Sequence, residues 1–185
     1  MSPTISGFVF VGGQSTRFGS NKLFHPVNNI PMGLVVLNNL TGCVGNSCLV
    51  GPRVDHPDFV NVPQVSGDRE GHGPLGAMCD VLEKATTDFV VFAPCDTPFF
   101  MAVHFERLIK GQSGHDVVVA ADIEPPQLRH WLLSCWDVEA TRDHMIRAYS
   151  SGERAIHRAI TGLNVIEQHF SHQVLTNVNT PSDTQ

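Results

Sequence analysis

Residues 12 to 22 read Gly12-Gly13-Gln14-Ser15-Thr16-Arg17-Phe18-Gly19-Ser20-Asn21-Lys22. Glycines let main-chain N–H groups crowd around an anion, and the hydroxyls add donors. Arg17 supplies a planar cation and Lys22 a mobile one. The β-branched and aromatic run Ile5–Val11 leads straight into this loop and reads as a buried parallel strand. Open α/β sheets place their ligands at the carboxyl ends of such strands. The implied ligand is therefore a polyphosphate, and the implied protein a nucleotide-using enzyme. A Walker loop needs Gly, four residues, then Gly-Lys-Ser/Thr, and a dinucleotide fold needs Gly-x-Gly-x-x-Gly; neither spacing is present. Glycines alone would suit any tight connection, and it is Ser15, Arg17 and Lys22 at their positions that favour phosphate.

A second chemical position follows the apolar run Phe89–Ala93, in Pro94-Cys95-Asp96-Thr97-Pro98. An unpaired carboxylate at the end of a buried strand costs several kcal/mol. Asp96 becomes intelligible there as a ligand for Mg²⁺, a hard cation usually held by one or two carboxylates together with substrate phosphates. The competing role is a turn or helix cap. Further along the fold, Gly73-Pro74-Leu75-Gly76 reads as a helix start with a bare, glycine-lined approach, suited to a ligand edge or an anion.

These segments, in this order, resemble the molybdenum cofactor guanylyltransferases of the MobA family, within the nucleotidyltransferase superfamily. The family's loop is close to Gly-Gly-x-Ser-x-Arg-Met-Gly-x-x-Lys, and its Cys-Asp-x-Pro and Gly-Pro-Leu elements match Cys95–Pro98 and Gly73–Leu75. The resemblance implies that Val11, Gly12, Gly13, Ser15, Gly19 and Lys22 wrap the nucleotide, with Gly73, Pro74 and Leu75 along base and ribose. Lys22, Arg17 and Asp96 would be catalytic, and Asp96 would hold Mg²⁺. Asp68 stands where the family has an aspartate before Gly-Pro-Leu, at a spacing that departs from the family's. Asn177-Val178-Asn179-Thr180-Pro181 matches Asn-x-Asn-Thr-Pro, which puts Asn177 and Asn179 toward the acceptor, while Gly152-Glu153-Arg154 matches a segment that shapes the acceptor pocket.

The implied reaction is transfer of GMP from GTP to the phosphate of molybdopterin or its molybdenum-loaded form, releasing pyrophosphate. Delivery to molybdoenzymes or their chaperones is compatible with it. Molybdopterin cytidylyltransferases usually begin Ala-Ala-Gly, and Gly12 leaves room for a purine, so GTP is the expected donor. A cytidylyltransferase, another small nucleotidyltransferase and a non-catalytic nucleotide-binding module are the alternatives. The chain departs from the family at Phe18, where Met is usual, at Gly51-Pro52, where a polar base-reading residue is common, and at His130-Trp131, where His-Pro or Gln-Pro is frequent.

The elements that must position these residues alternate. Helices are expected at Pro31–Leu40, Pro74–Lys84, 101–110, Val138–Tyr149 and Glu153–Thr161, and strands at Ser47–Val50, Phe59–Val62, Phe89–Ala93, Asp116–Ala121, Trp131–Trp136 and Leu163–Ile166. Alternation of this kind predicts a mostly parallel, Rossmann-like α/β sheet with helices on both faces, and the resemblance implies one nucleotidyltransferase domain spanning 1–185. With 42% hydrophobic and 16% charged residues the chain is globular. A net charge of −6 argues against nucleic acid or an anionic membrane as main partner. No stretch of ~20 apolar residues is present, and the start lacks the marks of a signal peptide, so a cytoplasmic protein is expected. The five cysteines form no Cys-x-x-Cys pair, and the ten histidines are scattered; both read as packing or solvated residues.

Overall fold

The structure is a computed structural model and describes residues 2–12, 22–69, 71–179 and 183. Seven strands form one sheet: β1 (Ile5–Phe10), β4 (Ser47–Val50), β5 (Gln64–Val65), β6 (Phe89–Pro94), β7 (Val117–Asp122), β8 (Arg129–Asp137) and β9 (Val165–Phe170). Their order is β5-β4-β1-β6-β8-β7-β9, and every pairing is parallel except the two made by β8. A two-stranded ribbon, β2 (Pro26–Val27) with β3 (Ile30–Pro31), stands apart.

Alternation along the strands explains why both faces are covered. Val9, Leu49, Val91, Val118 and Cys135 join one core cluster, whereas Phe10, Val50, Phe92, Val117 and Trp136 join the other. A strand whose odd and even residues are both apolar must be buried on both sides. Helices α1 (Met32–Val44) and α3 (Ala102–Lys110) pack together over the first face. Over the second lie α2 (Gly73–Lys84) and α4 (Val138–Ser150). Short helices α5 (Ile156–Ala159) and α6 (His172–Leu175) complete the chain. Among the described residues no helix is long and apolar enough to cross a membrane.

Several expected boundaries shift. The first helix runs on past Thr41-Gly42 to Val44 and stops at Gly45, whose φ of 78° lets its N–H return to the Thr41 carbonyl. Phe59–Val62 is not a strand. His56 accepts from the Asp58 N–H and caps a 3₁₀ turn at Pro57–Phe59, and the Phe59 ring is buried by that turn. The helix expected over Glu153–Thr161 shrinks to α5, because the Glu153 carboxylate accepts the N–H groups of Arg154 and Ala155 ahead of it. The last strand begins at Val165 and runs to Phe170, following six consecutive pairs with β7.

Candidate active site

Parallel strands β1 and β6 lie side by side, and their ladder continues past the last strand pair, with Cys95 N–H donating to the Phe10 carbonyl. This register brings the two chemical segments of the sequence to one edge. Val11 N–H is tied to Val50, so the chain leaves β1 in a fixed direction. Gly12 then lines two neighbouring clefts. Gly13, Ser15, Arg17 and Gly19 lie outside the described residues. Lys22 is described, and its ammonium pairs with the Asp96 carboxylate across the sheet edge, both side chains largely buried.

The Asn177–Asn179 segment reaches the same point. Val178 is fully buried, and its N–H donates to the Asp96 carbonyl at 2.8 Å, which clamps the C-terminal segment to the metal candidate. Asn177 lines the cleft with Lys22 and Asp96. Asn179 is exposed, its N–H donating to Asp183 and its amide to the Asn177 carbonyl.

The larger cleft, about 540 Å³, is bounded by Phe10, Gly12, Val50, Gly51, Pro52, Val65 and the start of α2. Gly73 and Pro74 belong to its lining, and Leu75 lies beneath them, fully buried in the core. A helix N-terminus with apolar walls suits a flat base and an anion together. Asp68 is exposed on a turn and does not line this cleft, whereas Arg69 and Asp80 do. Asp80, 2% exposed, accepts from Arg69 Nη1 at 2.6 Å and from Arg69 N–H at 3.1 Å. Glu83 bonds the same guanidinium at 2.7 Å. Glu83 first, with Asp80 behind it, holds the Arg69 guanidinium above its usual range, and Arg69 in turn holds Glu83 below the usual carboxylate range. A Cβ on Gly67 would meet Asp80 Oδ2 at 1.9 Å, so only glycine lets the loop close over this pair. Residues Arg69 and Asp80 stand eleven apart and look like solvated charges in sequence; the signal available was Asp80 on the apolar face of α2.

The second cleft, about 390 Å³, adds Arg129 to Leu133 of β8 and Ile156 to Lys22 and Asp96. A break in strand register builds this wall. Val119 faces Ser134, but Ala120 faces His130, so Trp131, Leu132 and Leu133 bulge from the β7 ladder and line the cleft. Gly152, Glu153 and Arg154 are not among its lining residues. Glu153 is bonded to Arg158 at 2.7 Å, which, with the N–H groups of Ala155 and Arg154, lowers its carboxyl to about 2. The Arg154 guanidinium lies 4.1 Å over the Tyr149 ring.

Cys95 sits beside Asp96 yet is fully enclosed, and burial pushes its thiol up to about 12. Cys79 and Cys135 are likewise buried, with thiols raised by burial to about 11 and about 12. The thiolate is the reactive species, so all three should resist iodoacetamide near neutral pH in the folded protein and react once denaturant is added. Rapid alkylation of native Cys95, read by peptide mass, would contradict its packing role.

The donor set tests the metal. Asp96 offers hard carboxylate oxygen and Asn177 an amide oxygen at one cleft, with space left for phosphate oxygens. That combination fits Mg²⁺, which takes few protein ligands.

The chain is similar to several known proteins. A molybdenum cofactor guanylyltransferase from Yersinia pestis (strain Pestoides F) is 28% identical over 188 residues, covering 99% of this chain and 94% of that one. Among solved structures, molybdopterin-guanine dinucleotide biosynthesis protein A from Archaeoglobus fulgidus superposes with a TM-score of 0.76 at 21% identity, covering 97% of this chain and 94% of that chain. The 2-C-methyl-D-erythritol 4-phosphate cytidylyltransferase of Thermus thermophilus shares the fold with a TM-score of 0.73 at 12% identity, over 96% and 94% of the two chains. The MobA-like NTP transferase domain matches residues 7–168. With that match spanning most of its length, the chain belongs to the MobA-like NTP transferase domain family, and it is a nucleotidyltransferase.

Proposed function

We propose that the chain acts as one domain that transfers GMP from GTP to the phosphate of molybdopterin, with or without molybdenum bound, and releases pyrophosphate. The observation that carries this reading is the pairing of Lys22 with Asp96 in the smaller cleft, which shares Phe10, Gly12, Pro74 and Leu132 with the larger one. One cleft suits a base beside a helix N-terminus, and the other suits a second substrate. Reactants held in two adjoining clefts, with one cation and one carboxylate in the second, are placed for in-line displacement.

In this reading Gly12, Gly13, Ser15 and Gly19 wrap the nucleotide. Gly51 and Pro52 form the wall opposite α2, and Arg17 and Lys22 balance the triphosphate's charge. Lys22 steadies the α-phosphate as charge develops on it. Asp96, with Asn177 beside it, is the group that would hold Mg²⁺, which when bound neutralises phosphate charge. The acceptor phosphate is ionised near neutral pH and needs no strong base to become a nucleophile. Its oxygen attacks the α-phosphorus, the bond to the bridging oxygen breaks, and pyrophosphate carries the electron pair away. Names of relatives support GTP and molybdopterin as the pair.

The test is pyrophosphate release with Mg²⁺ and molybdopterin, offering GTP and CTP in parallel. Turnover with GTP is expected. Turnover with CTP alone would keep the chemistry and reverse the choice of base. Nucleotide binding without turnover on either would leave a binding module.

A further inference from the structure

One buried carboxylate stands outside the machinery described so far. Asp122 closes β7 at 2% exposure, and its two oxygens meet two histidines from different elements. Oδ2 lies 3.2 Å from His130 Nε2 on β8, and Oδ1 lies 3.0 Å from His172 Nδ1 on α6. His169 brings its Nδ1 within 3.3 Å of the Asp122 carbonyl, and Glu124 accepts the His172 N–H at 3.0 Å. An ionised carboxylate can only accept, so both ring nitrogens facing it are donors. The two histidines differ in position. The His172 side chain is 69% exposed, whereas that of His130 is 19% exposed and lines the cleft shared by Lys22 and Asp96.

A carboxylate behind one nitrogen fixes an imidazole's orientation and tautomer and leaves the other nitrogen for a ligand. The other charged groups on this cleft are already engaged, Lys22 with Asp96, and Arg129 with Glu167 at 2.5 Å. His130 therefore offers a polar edge, Nδ1, that none of the described hydrogen bonds uses. The ring is presented by the part of β8 where the register breaks, opposite Ala120.

Resting on the guanylyl-transfer reading above, we propose that His130 holds the acceptor's phosphate monoester, with Asp122 as the positioning residue behind it. A phosphate monoester has its second ionisation near pH ~6 and is present in both forms around neutrality. The charged ring donates from Nδ1 to a phosphate oxygen. The neutral ring accepts the P–O–H proton of the monoanion at the same atom. Both states hold the same group, so the contact selects a phosphate-bearing acceptor and leaves the nucleotide untouched.

The experiment measures KM for molybdopterin and for GTP in the wild-type protein and in His130→Gln and His130→Ala, with thermal melts on all three. Glutamine keeps an N–H for Asp122 but presents its carbonyl to the cleft. The expected result is a rise of about tenfold or more in KM for molybdopterin in both variants, the scale of one hydrogen bond to a charged group, with KM for GTP within about twofold of wild type. Asp122→Asn should raise the same KM alone. Equal changes in both KM values, no change in either, or loss of the folded state in both His130 variants would show a packing role and overturn the proposal. Wild-type protein that binds GTP but releases no pyrophosphate with molybdopterin overturns the guanylyl-transfer reading itself, and this inference with it. Wild-type turnover with unaltered variants overturns this inference alone.

Discussion

Lys22→Ala is expected to slow pyrophosphate release about 100-fold or more, lowering kcat and kcat/KM together. Parallel loss marks an interaction made chiefly in the transition state, which is where charge accumulates on the α-phosphate. Lys22→Arg should recover only part of the rate, since a planar fork cannot occupy the point position of an ammonium. Asp96→Ala is expected to cost as much, and to raise the Mg²⁺ concentration that gives half-maximal rate; Lys22→Ala should leave that concentration nearly unchanged. The two side chains are paired in the protein, so each variant strands the other's charge. The double variant should accordingly lose much less than the product of the single losses. Steady-state kinetics across a Mg²⁺ titration measures all of this. A fully active Lys22→Ala protein would remove Lys22 from the reaction.

The second large effect is on stability. Asp80→Ala is expected to destabilise the fold by about 2–4 kcal/mol. Removing one partner of a buried pair costs about 3–5 kcal/mol, and Glu83 retains part of the Arg69 interaction here. For a chain of this size the melting temperature should fall by roughly 5–12 °C. The loss has a functional side, because Arg69 and Gly67 line the larger cleft and Asp80 fixes both. KM for the nucleotide should therefore rise in Asp80→Ala. Glu83→Gln, at a half-exposed carboxylate, is the comparison and should shift stability by no more than about 0.5 kcal/mol. Equal melting temperatures for Asp80→Ala and wild type would mean that the pair contributes nothing net.

What could be read from sequence follows from how local its physical cause is. The runs Ile5–Val11 and Phe89–Ala93 end in glycines or in Pro-Cys-Asp, so strand, terminus and chemical residue lie within a dozen positions. Pro74 at the first turn and the apolar spacing after it likewise place α2 closely. The Asn28-Asn29 pair, both at positive φ between Val27 and Ile30, carried a hairpin signal that composition alone obscured. Other features are settled by partners far away in the chain. The edge strand β9 extends through Glu167, Gln168 and His169 because β7 supplies six consecutive pairs, although the residues are polar. Phe59–Val62 has a strand's composition but no neighbouring strand, and His56 turns it instead. Pairing between Arg69 and Asp80, or between Asp122 and His130, leaves no periodic trace. Nor does strand direction, which hydropathy cannot register; the apolar run 131–136 was visible, and its antiparallel course was not.

That reversed course gives the two clefts different capacities to change. Part of the wall of the larger cleft comes from the connection between β5 and α2, a surface segment that tolerates exchange away from Gly67 and Arg69. The wall of the smaller one is a bulge within β8, whose flanking residues Arg129–His130 and Ser134–Asp137 are held by β7 and β6, so any insertion must be taken up within 131–133 without disturbing either ladder. Grafting a new 66–72 segment that keeps Gly67 and Arg69 is thus a practical route to a different nucleotide. A different acceptor must be sought by side-chain replacement at fixed length, which predicts that laboratory libraries on this scaffold will diversify donor choice far more readily than acceptor choice.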